Sequence, residues 1–231
     1  MGDESRNAAC LTWHPGSIPP YASLWHTLQR VGALNFVRPT DVPGRTRLPW
    51  ETDRKSWTLS PLFNRNVGVE TDALARSLGE APSIFRWSHF GALPGWLQPV
   101  VTPGFRLCMK CIAHGYHSAL LSLRPLDLCP IHGTPLQSMC ACGRPFRDRL
   151  NPADLRRAGC CACYSFAMFN RETCRRPTLA PALTNAFLPI VEWIEALTIV
   201  IRSASWQRRN AGAETSTWLG ELLEASCALG I

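Results

Sequence analysis

Cysteine and histidine residues in the middle of the chain stand in pairs whose spacing suits a metal ion. The first two pairs are Cys108-x2-Cys111 and Cys129-x2-His132, with seventeen residues between them. A gap of two residues lets both ligands of a turn reach one Zn²⁺, and two such pairs complete a tetrahedron with Zn–S distances of about 2.3 Å. The spacing therefore predicts a zinc site made of three cysteines and one histidine.

A second group follows at the same separation. Cys140-x-Cys142 is followed after seventeen residues by Cys160-x2-Cys163, which predicts a second zinc site with four cysteines. The Cys140–Cys142 pair is one residue shorter than the usual pair, and Cys161 competes with its neighbour for the third position. Cys160 is preferred because it keeps the two-residue gap to Cys163.

Both groups carry a glycine just after a ligand pair, Gly133 in the first and Gly143 in the second. Glycine supplies the permissive backbone that such a turn needs, so the near-repetition indicates two tandem modules of one kind. Four protein ligands leave no open position for water, as a catalytic zinc requires. The chain also lacks an HExxH motif, a deaminase signature and a phosphate-binding GxxxxGK[ST] loop. We therefore expect a protein that is not an enzyme.

The distribution of cysteines and of apolar segments indicates the cellular compartment of the protein. Nine of the eleven cysteines lie between Cys108 and Cys174, while Cys10 and Cys227 stand apart. The start MGDESRNAAC has no apolar core of a signal peptide, and no uncharged apolar run reaches about 18 residues. These features predict a cytoplasmic protein without a membrane segment, whose clustered cysteines bind metal rather than form disulfides. The unassigned cysteines are expected to be buried thiols.

Positive charge concentrates in the same region. Of the 24 basic residues 22 are arginine, and residues 101–176 hold 11 basic against 4 acidic groups. Five arginines lie between the ligand pairs of the second module: Arg144, Arg147, Arg149, Arg156 and Arg157. Guanidinium groups on a metal-fixed loop suit phosphate contacts, so these are candidate nucleic-acid-binding residues. The alternative is that Asp148 and Asp154 pair with some of them on a solvated face.

Helices must position these modules, and the first is predicted over Ser23–Asn35. Leu24, Leu28 and Val31 form its apolar stripe, Ser23 is its expected N-cap, and Gly32 weakens its end.

A second helix is predicted over Thr71–Leu78, with Thr71 as its cap, Leu74 and Leu78 inward, and Gly79 as its stop. A short apolar segment follows at Ile84–Phe90. Three short helices are compatible with a helix-turn-helix, although the period alone does not establish one.

The C-terminal region is again helical. One helix carries an apolar stripe opposite Glu192 and Glu195, with Pro189 at its first turn: Phe187, Ile190, Val191, Ile194, Leu197 and Ile201. Another is predicted over Thr217–Cys227. The stripes suit core packing between the two helices, and a homodimer surface is the alternative.

Together these patterns predict a mainly α chain with irregular zinc-bound segments. An N-terminal helical region spans residues 1–104, with the helix-turn-helix as an option. Tandem zinc-binding modules span 105–176, and C-terminal helices span 177–231.

The run FRLCMKCIAHGYHSALLSLRPLDLCPIHGTPLQSMCACGRPF, from Phe105 to Phe146, resembles the zinc-binding core of the TniQ/TnsD family. The shared features are an aromatic residue and an arginine before the first cysteine pair, then Gly-Tyr-His, then CPxHGxxL, then a cysteine pair ending in glycine. The N-terminal PPYASLWHTLQRVGALN is similar to the opening of that family. The two stretches cover about a quarter of the chain, in the family's order.

Members of this family select target sites for bacterial heteromeric transposons. They recognise attachment-site DNA or an RNA-guided CRISPR effector complex, and they recruit the AAA+ ATPase that regulates the transposase. The resemblance implies that the eight residues of the two predicted sites bind two Zn²⁺ ions. It also implies an adaptor that contacts DNA, a targeting complex or both. The alternative is a zinc-stabilised protein–protein scaffold with no direct DNA binding.

Overall fold

The computed structural model describes residues 11–36, 70–89, 101–102, 106–146 and 181–211. The chain divides into two compact units, Met1–Thr184 and Asn185–Ile231. The described residues form helices and turns joined by isolated β-bridges, and no strand occurs among them. The mainly α fold is therefore confirmed, whereas the helix-turn-helix stays a prediction. The predicted helix Thr217–Cys227 lies outside the described residues.

Helix α1 spans Leu24–Asn35 and begins as the sequence predicts. The Ser23 hydroxyl accepts a hydrogen bond from the His26 N–H at 3.0 Å and so caps the first turn. The apolar stripe of α1 is buried, with Val31 fully inaccessible to solvent. The helix ends at Phe36, which adopts the left-handed conformation (φ +56°).

Helix α2 spans Thr71–Leu78, within the predicted bounds. Its N-cap is Glu70, and Thr71 is already the first helical residue, so the prediction of Thr71 as the cap is wrong. The reason is the first helical hydrogen bond, in which the Leu74 N–H donates to the Glu70 carbonyl at 2.9 Å. The predicted stop at Gly79 is confirmed, since this residue takes the left-handed conformation (φ +66°).

The apolar segment after α2 forms a 3-10 turn over Pro82–Phe85. This turn starts two residues before Ile84, because proline already has the φ angle that a helical first turn requires. Phe85 is buried. Further on, the Ser88 carbonyl accepts a hydrogen bond from the Leu24 N–H at 2.8 Å, which joins this segment to the start of α1.

The middle segment, residues 106–146, contains helix α3 (Met109–Ala113) and a 3-10 turn at Ala119–Ser122. Isolated bridges hold its irregular parts together, and one of them pairs Leu107 with Gln137. Five of its side chains have almost no accessible surface and form an apolar core: Leu107, Tyr116, Leu120, Leu121 and Leu123.

This middle segment also binds the start of α1. The Ser23 N–H donates to the His117 carbonyl at 2.8 Å, and Ala22 forms an antiparallel bridge with Ser118. The Tyr116 hydroxyl donates to a carbonyl just before α1, that of Pro20, at 3.0 Å. The N-terminal helix and the first cysteine module therefore fold as parts of one unit. A further short helix of this unit, α4, spans Pro181–Thr184.

The second unit contains a 3-10 turn at Asn185–Phe187 followed by helix α5, Leu188–Ala211. Four residues of the predicted stripe are buried: Phe187, Val191, Ile194 and Leu197. The other two, Ile190 and Ile201, are half-buried. Glu192 is exposed on the other side.

One stretch of the described chain, Ala182–Ile201, is long and apolar enough to cross a membrane by length and composition, with a mean hydropathy of 1.4. A single such helix is weak evidence of a membrane span, because core helices of soluble proteins meet the same criteria. This stretch also carries Glu192 and Glu195.

Candidate metal centre

The first cysteine pair is positioned by α3. Cys108 is the N-cap of this helix, and its Sγ atom accepts a hydrogen bond from the Cys111 N–H at 3.5 Å. The resulting turn places both sulfur atoms on the same side of the chain. Both cysteines have 0% of their surface exposed, so the pair faces the interior of the unit.

The second pair lies on a tight turn. The Cys129 N–H donates to the Thr134 carbonyl and the Gly133 N–H donates to the Cys129 carbonyl, both at 2.8 Å. Gly133 adopts a φ of +61°, a conformation that glycine reaches without steric cost. This geometry brings His132 back over Cys129, which is itself 1% exposed.

The four candidate ligand atoms converge, and all lie within 4.8 Å of one another. The sulfurs of Cys111 and Cys129 are 3.6 Å apart, and His132 Nδ1 lies 3.4, 3.3 and 3.7 Å from the sulfurs of Cys108, Cys111 and Cys129. A tetrahedral zinc with ordinary bond lengths has S–S edges of about 3.8 Å and S–N edges of about 3.6 Å. These four separations are close to the edges of this tetrahedron, and the Cys111–Cys129 distance is far too long for a disulfide, which needs about 2.05 Å.

His132 presents Nδ1 to the sulfurs, so Nε2 points away from the cluster. The imidazole of His114 stacks on the His132 ring, with the two rings 7° from parallel and their centroids 6.3 Å apart. His114 is exposed and lies outside the group of four ligands.

The thiols influence one another's protonation. The hydrogen bond with Cys111 lowers the pKa of Cys129 to about 5, whereas the hydrogen bond with Cys129 and burial raise the pKa of Cys111. Without a cation, a second thiolate beside the first is disfavoured by repulsion between like charges and by burial. A bound dication removes that repulsion and allows all three sulfurs to ionise.

The second predicted site is only partly within the described residues. Cys140 and Gly143 form a turn like that of the first module: the Gly143 N–H donates to the Cys140 carbonyl at 2.9 Å, and Gly143 has a φ of +78°. Cys140 is half-buried and Cys142 is exposed. Cys160, Cys161 and Cys163 lie outside the described residues, so the second site stays a prediction.

Of the five candidate phosphate-binding arginines, one lies within the described residues. Arg144 is exposed, and its carbonyl accepts the Cys140 N–H at 2.8 Å, which fixes it on the second turn. The other four lie outside the described residues: Arg147, Arg149, Arg156 and Arg157.

His117 belongs to none of the sites predicted from the sequence, yet both of its ring nitrogens make hydrogen bonds. The His117 Nε2–H donates to the Arg106 carbonyl at 3.4 Å, so Nδ1 accepts a hydrogen bond from the Ser23 hydroxyl at 2.9 Å. Burial lowers the pKa of His117 to about 3 and keeps the ring neutral. No local signal reveals this pair, because its members are 94 residues apart in sequence.

A serine beside a neutral histidine is also the arrangement of a nucleophile and its base. Here both residues have 0% of their surface exposed, and the Ser23 oxygen already accepts the His26 N–H. The hydroxyl is closed to solvent and already engaged in the cap of α1, and its contacts join α1 to the middle segment.

Comparisons with protein-family models, with characterised proteins and with solved structures found no match to this chain. The resemblance to the TniQ/TnsD family therefore stays a prediction, and the metal centre rests on the geometry of the chain itself.

Proposed function

We propose that Cys108, Cys111, Cys129 and His132 bind one structural Zn²⁺ ion. The observation that carries this proposal is the convergence of four ligand atoms within 4.8 Å, three of them on buried cysteines. A zinc ion there would fasten the turn after Leu128 to α3 and so stabilise a segment that is mostly irregular.

The proposed centre is structural rather than catalytic. Three thiolates and one imidazole fill the four positions of tetrahedral zinc, which leaves none for a substrate or a reactive water. The burial of the three cysteines also keeps solvent away. We therefore place the protein among binding proteins and not among zinc hydrolases or nucleases.

Metal analysis of the full chain tests the zinc site. We expect the purified protein to contain zinc, and Cys129→Ser to lose one equivalent relative to the wild type. Cys10→Ser and Cys227→Ser, which change cysteines outside both predicted sites, are the matched controls and should keep their zinc. A wild-type protein without zinc, or a C129S protein that keeps all of it, would contradict the proposal.

The second zinc site is proposed on its spacing and on the turn at Cys140. We expect two zinc equivalents in the wild type and one in Cys163→Ser. A single equivalent that C163S leaves unchanged would limit the protein to the first site.

The wider function proposed is that of a cytoplasmic target-site selection adaptor in a bacterial transposition system. The support is the resemblance over Phe105–Phe146 and in the N-terminal stretch, together with the arginine-rich loop. The partners that follow are target DNA, an AAA+ ATPase regulator, and an RNA-guided CRISPR effector complex where the target is defined by RNA. A homodimer through the C-terminal helices is a further proposal.

DNA binding is testable through its dependence on salt. If the arginine loop contacts phosphates, the logarithm of the binding constant falls with the logarithm of salt concentration, with a slope near −0.9 per contact, or roughly −4 for four contacts. A variant with Arg147, Arg149, Arg156 and Arg157 changed to alanine should lose affinity and most of this slope. R76A/R86A removes two exposed arginines elsewhere, half the charge lost in the loop variant, and so measures the loss of affinity per arginine outside the loop. Equal binding by the loop variant and the wild type would contradict DNA contact through this loop.

One observation favours the alternative of a protein scaffold. The first module binds the start of α1 through His117 and Ser118, so zinc would serve to present an N-terminal helical surface to a protein partner. Capture of the ATPase regulator without a shift of any duplex would support the scaffold.

A further inference from the structure

Thr134 connects the two ligand pairs of the metal centre. Its carbonyl accepts the Cys129 N–H at 2.8 Å, which closes the turn of the second pair. Its hydroxyl oxygen lies 3.3 Å from the sulfur of Cys108, a ligand of the first pair 26 residues earlier in the chain. The first of these contacts needs only a backbone, but the second needs a hydroxyl group.

The chemistry of a metal-bound cysteine gives this contact a direction. A coordinating thiol is deprotonated, so the Cys108 sulfur can only accept, and the Thr134 O–H must donate. Cys108 is 0% exposed and receives no hydrogen bonds from bulk water. Three thiolates around a dication also leave one net negative charge, which hydrogen-bond donors from the protein help to disperse.

We infer that Thr134 is a positioning residue of the metal centre, whose hydroxyl donates to the Cys108 thiolate and tightens zinc binding. This inference rests on the proposed zinc site. The Cys111 N–H, 3.5 Å from the same sulfur, is the second donor. Thr134 thereby supplies a donor from the turn of the second pair, so both pairs contribute to holding Cys108 in place.

Substitutions at Thr134 separate the hydroxyl from the shape of the side chain. Thr134→Val keeps the branched shape and the backbone carbonyl but removes the donor, while Thr134→Ser keeps the donor and removes a methyl group. The full chain would be titrated with Zn²⁺ in competition with a chromophoric chelator. Outer-shell partners of metal ligands typically contribute 10- to 100-fold in affinity, so we expect T134V to bind zinc on the order of tenfold more weakly and T134S to restore most of the loss.

The control is Thr102→Val, because the Thr102 hydroxyl donates to the Ser122 carbonyl at 2.9 Å and not to a ligand sulfur. This variant should keep wild-type zinc affinity. The inference is overturned if T134V binds zinc as tightly as the wild type. It is also overturned if T134S is as weak as T134V, because the retained hydroxyl would then restore no zinc affinity.

Cobalt substitution supplies a second readout. The loss of a hydrogen bond raises the energy of the Cys108 sulfur lone pairs, so the thiolate-to-Co²⁺ charge-transfer absorption of T134V should move to longer wavelength. An unchanged absorption would count against the hydrogen bond. A wild-type protein that binds neither metal would overturn the metal centre itself, a result distinct from a metal-loaded wild type with an indifferent T134V variant.

Discussion

The hydroxyl of Ser23 takes part in two hydrogen bonds at once. It caps α1 by accepting the His26 N–H and donates to Nδ1 of His117 in the middle segment. All three residues are buried, so no water replaces a lost partner. One side chain therefore stabilises a helix end and its attachment to the cysteine module.

We expect Ser23→Ala to lower the free energy of unfolding by about 1 to 3 kcal/mol, because it removes a cap and leaves a buried imidazole nitrogen unsatisfied. Urea denaturation of the zinc-loaded protein measures the change. Ser77→Ala is the control, since its hydroxyl donates to the Ala73 carbonyl on an exposed helix surface and its loss should cost less than about 0.5 kcal/mol. Equal losses in the two variants would contradict the dual role.

The buried histidines make stability depend on pH. Burial, followed by the nearby Arg30, lowers the pKa of His26 to about 3, and burial lowers that of His117 to about 3. In the unfolded chain a histidine titrates near about 6.5. The unfolded state therefore binds more protons below this pH, and stability is full above about pH 6.5 and falls as the pH drops towards 3.

As the pH falls from 6 to 5, we expect each of these histidines to lower the free energy of unfolding by about 1 kcal/mol. Comparing His26→Gln with the wild type isolates one of them, because any zinc release by acid affects both proteins. Over this pH range, the free energy of unfolding of H26Q should fall by about 1 kcal/mol less than that of the wild type. Parallel curves for the two proteins would show that His26 does not titrate as its burial indicates.

At the scale of elements, the helices with strong local signals were predictable from the sequence. The cap at Ser23, the stripe of α1 and the stop at Gly79 all depend on neighbours in sequence. The cap of α2 was misplaced by one residue because Thr71 is a better capping residue than Glu70, yet the backbone begins its first helical bond at Glu70. The attachment of α1 to His117 was not predictable, because it joins residues far apart in the chain.

The end of α2 gives a prediction about packing between elements. An alanine Cβ at Gly79 would lie 3.1 Å from Cγ of Pro15 and would also sit in the left-handed conformation. Gly16 has the same conformation (φ +76°) with nothing within 4 Å of such a Cβ. We expect Gly16→Ala to cost about 1 to 2 kcal/mol from the conformation alone and Gly79→Ala to cost more. Thermal unfolding measures the loss of stability in the two variants. A loss in G79A that is equal to or smaller than the loss in G16A would exclude tight packing of Gly79 on Pro15.

At the scale of the whole molecule, the sequence predicted the four residues of the candidate metal site but not the contacts made around it. Regular spacing revealed Cys108, Cys111, Cys129 and His132, because each pair is local and the two pairs repeat a pattern. The contact between Thr134 and Cys108 depends on how one turn folds over another, and no spacing encodes that.

Removal of zinc should loosen α1 as well as the cysteine module, because zinc binding supplies on the order of 10 kcal/mol to such a fold. Hydrogen exchange before and after chelation measures this. The Ser23 amide, bonded to the His117 carbonyl, should lose protection together with that of Tyr116, which donates to the Cys111 carbonyl. Amides inside α5, whose bonds lie within that helix, are the reference. Unchanged protection at Ser23 would show that α1 holds without the metal.

Ser23 and His117 are 94 positions apart, so the ribosome synthesises them at different times. At about 5 to 20 residues per second, Ser23 is synthesised roughly 5 to 20 s before His117. The apolar face of α1, with Trp25, Leu28 and Val31, has no attachment site on the middle segment during that interval. The apolar face of α1 is therefore open to aggregation and to chaperones until His117 has been translated.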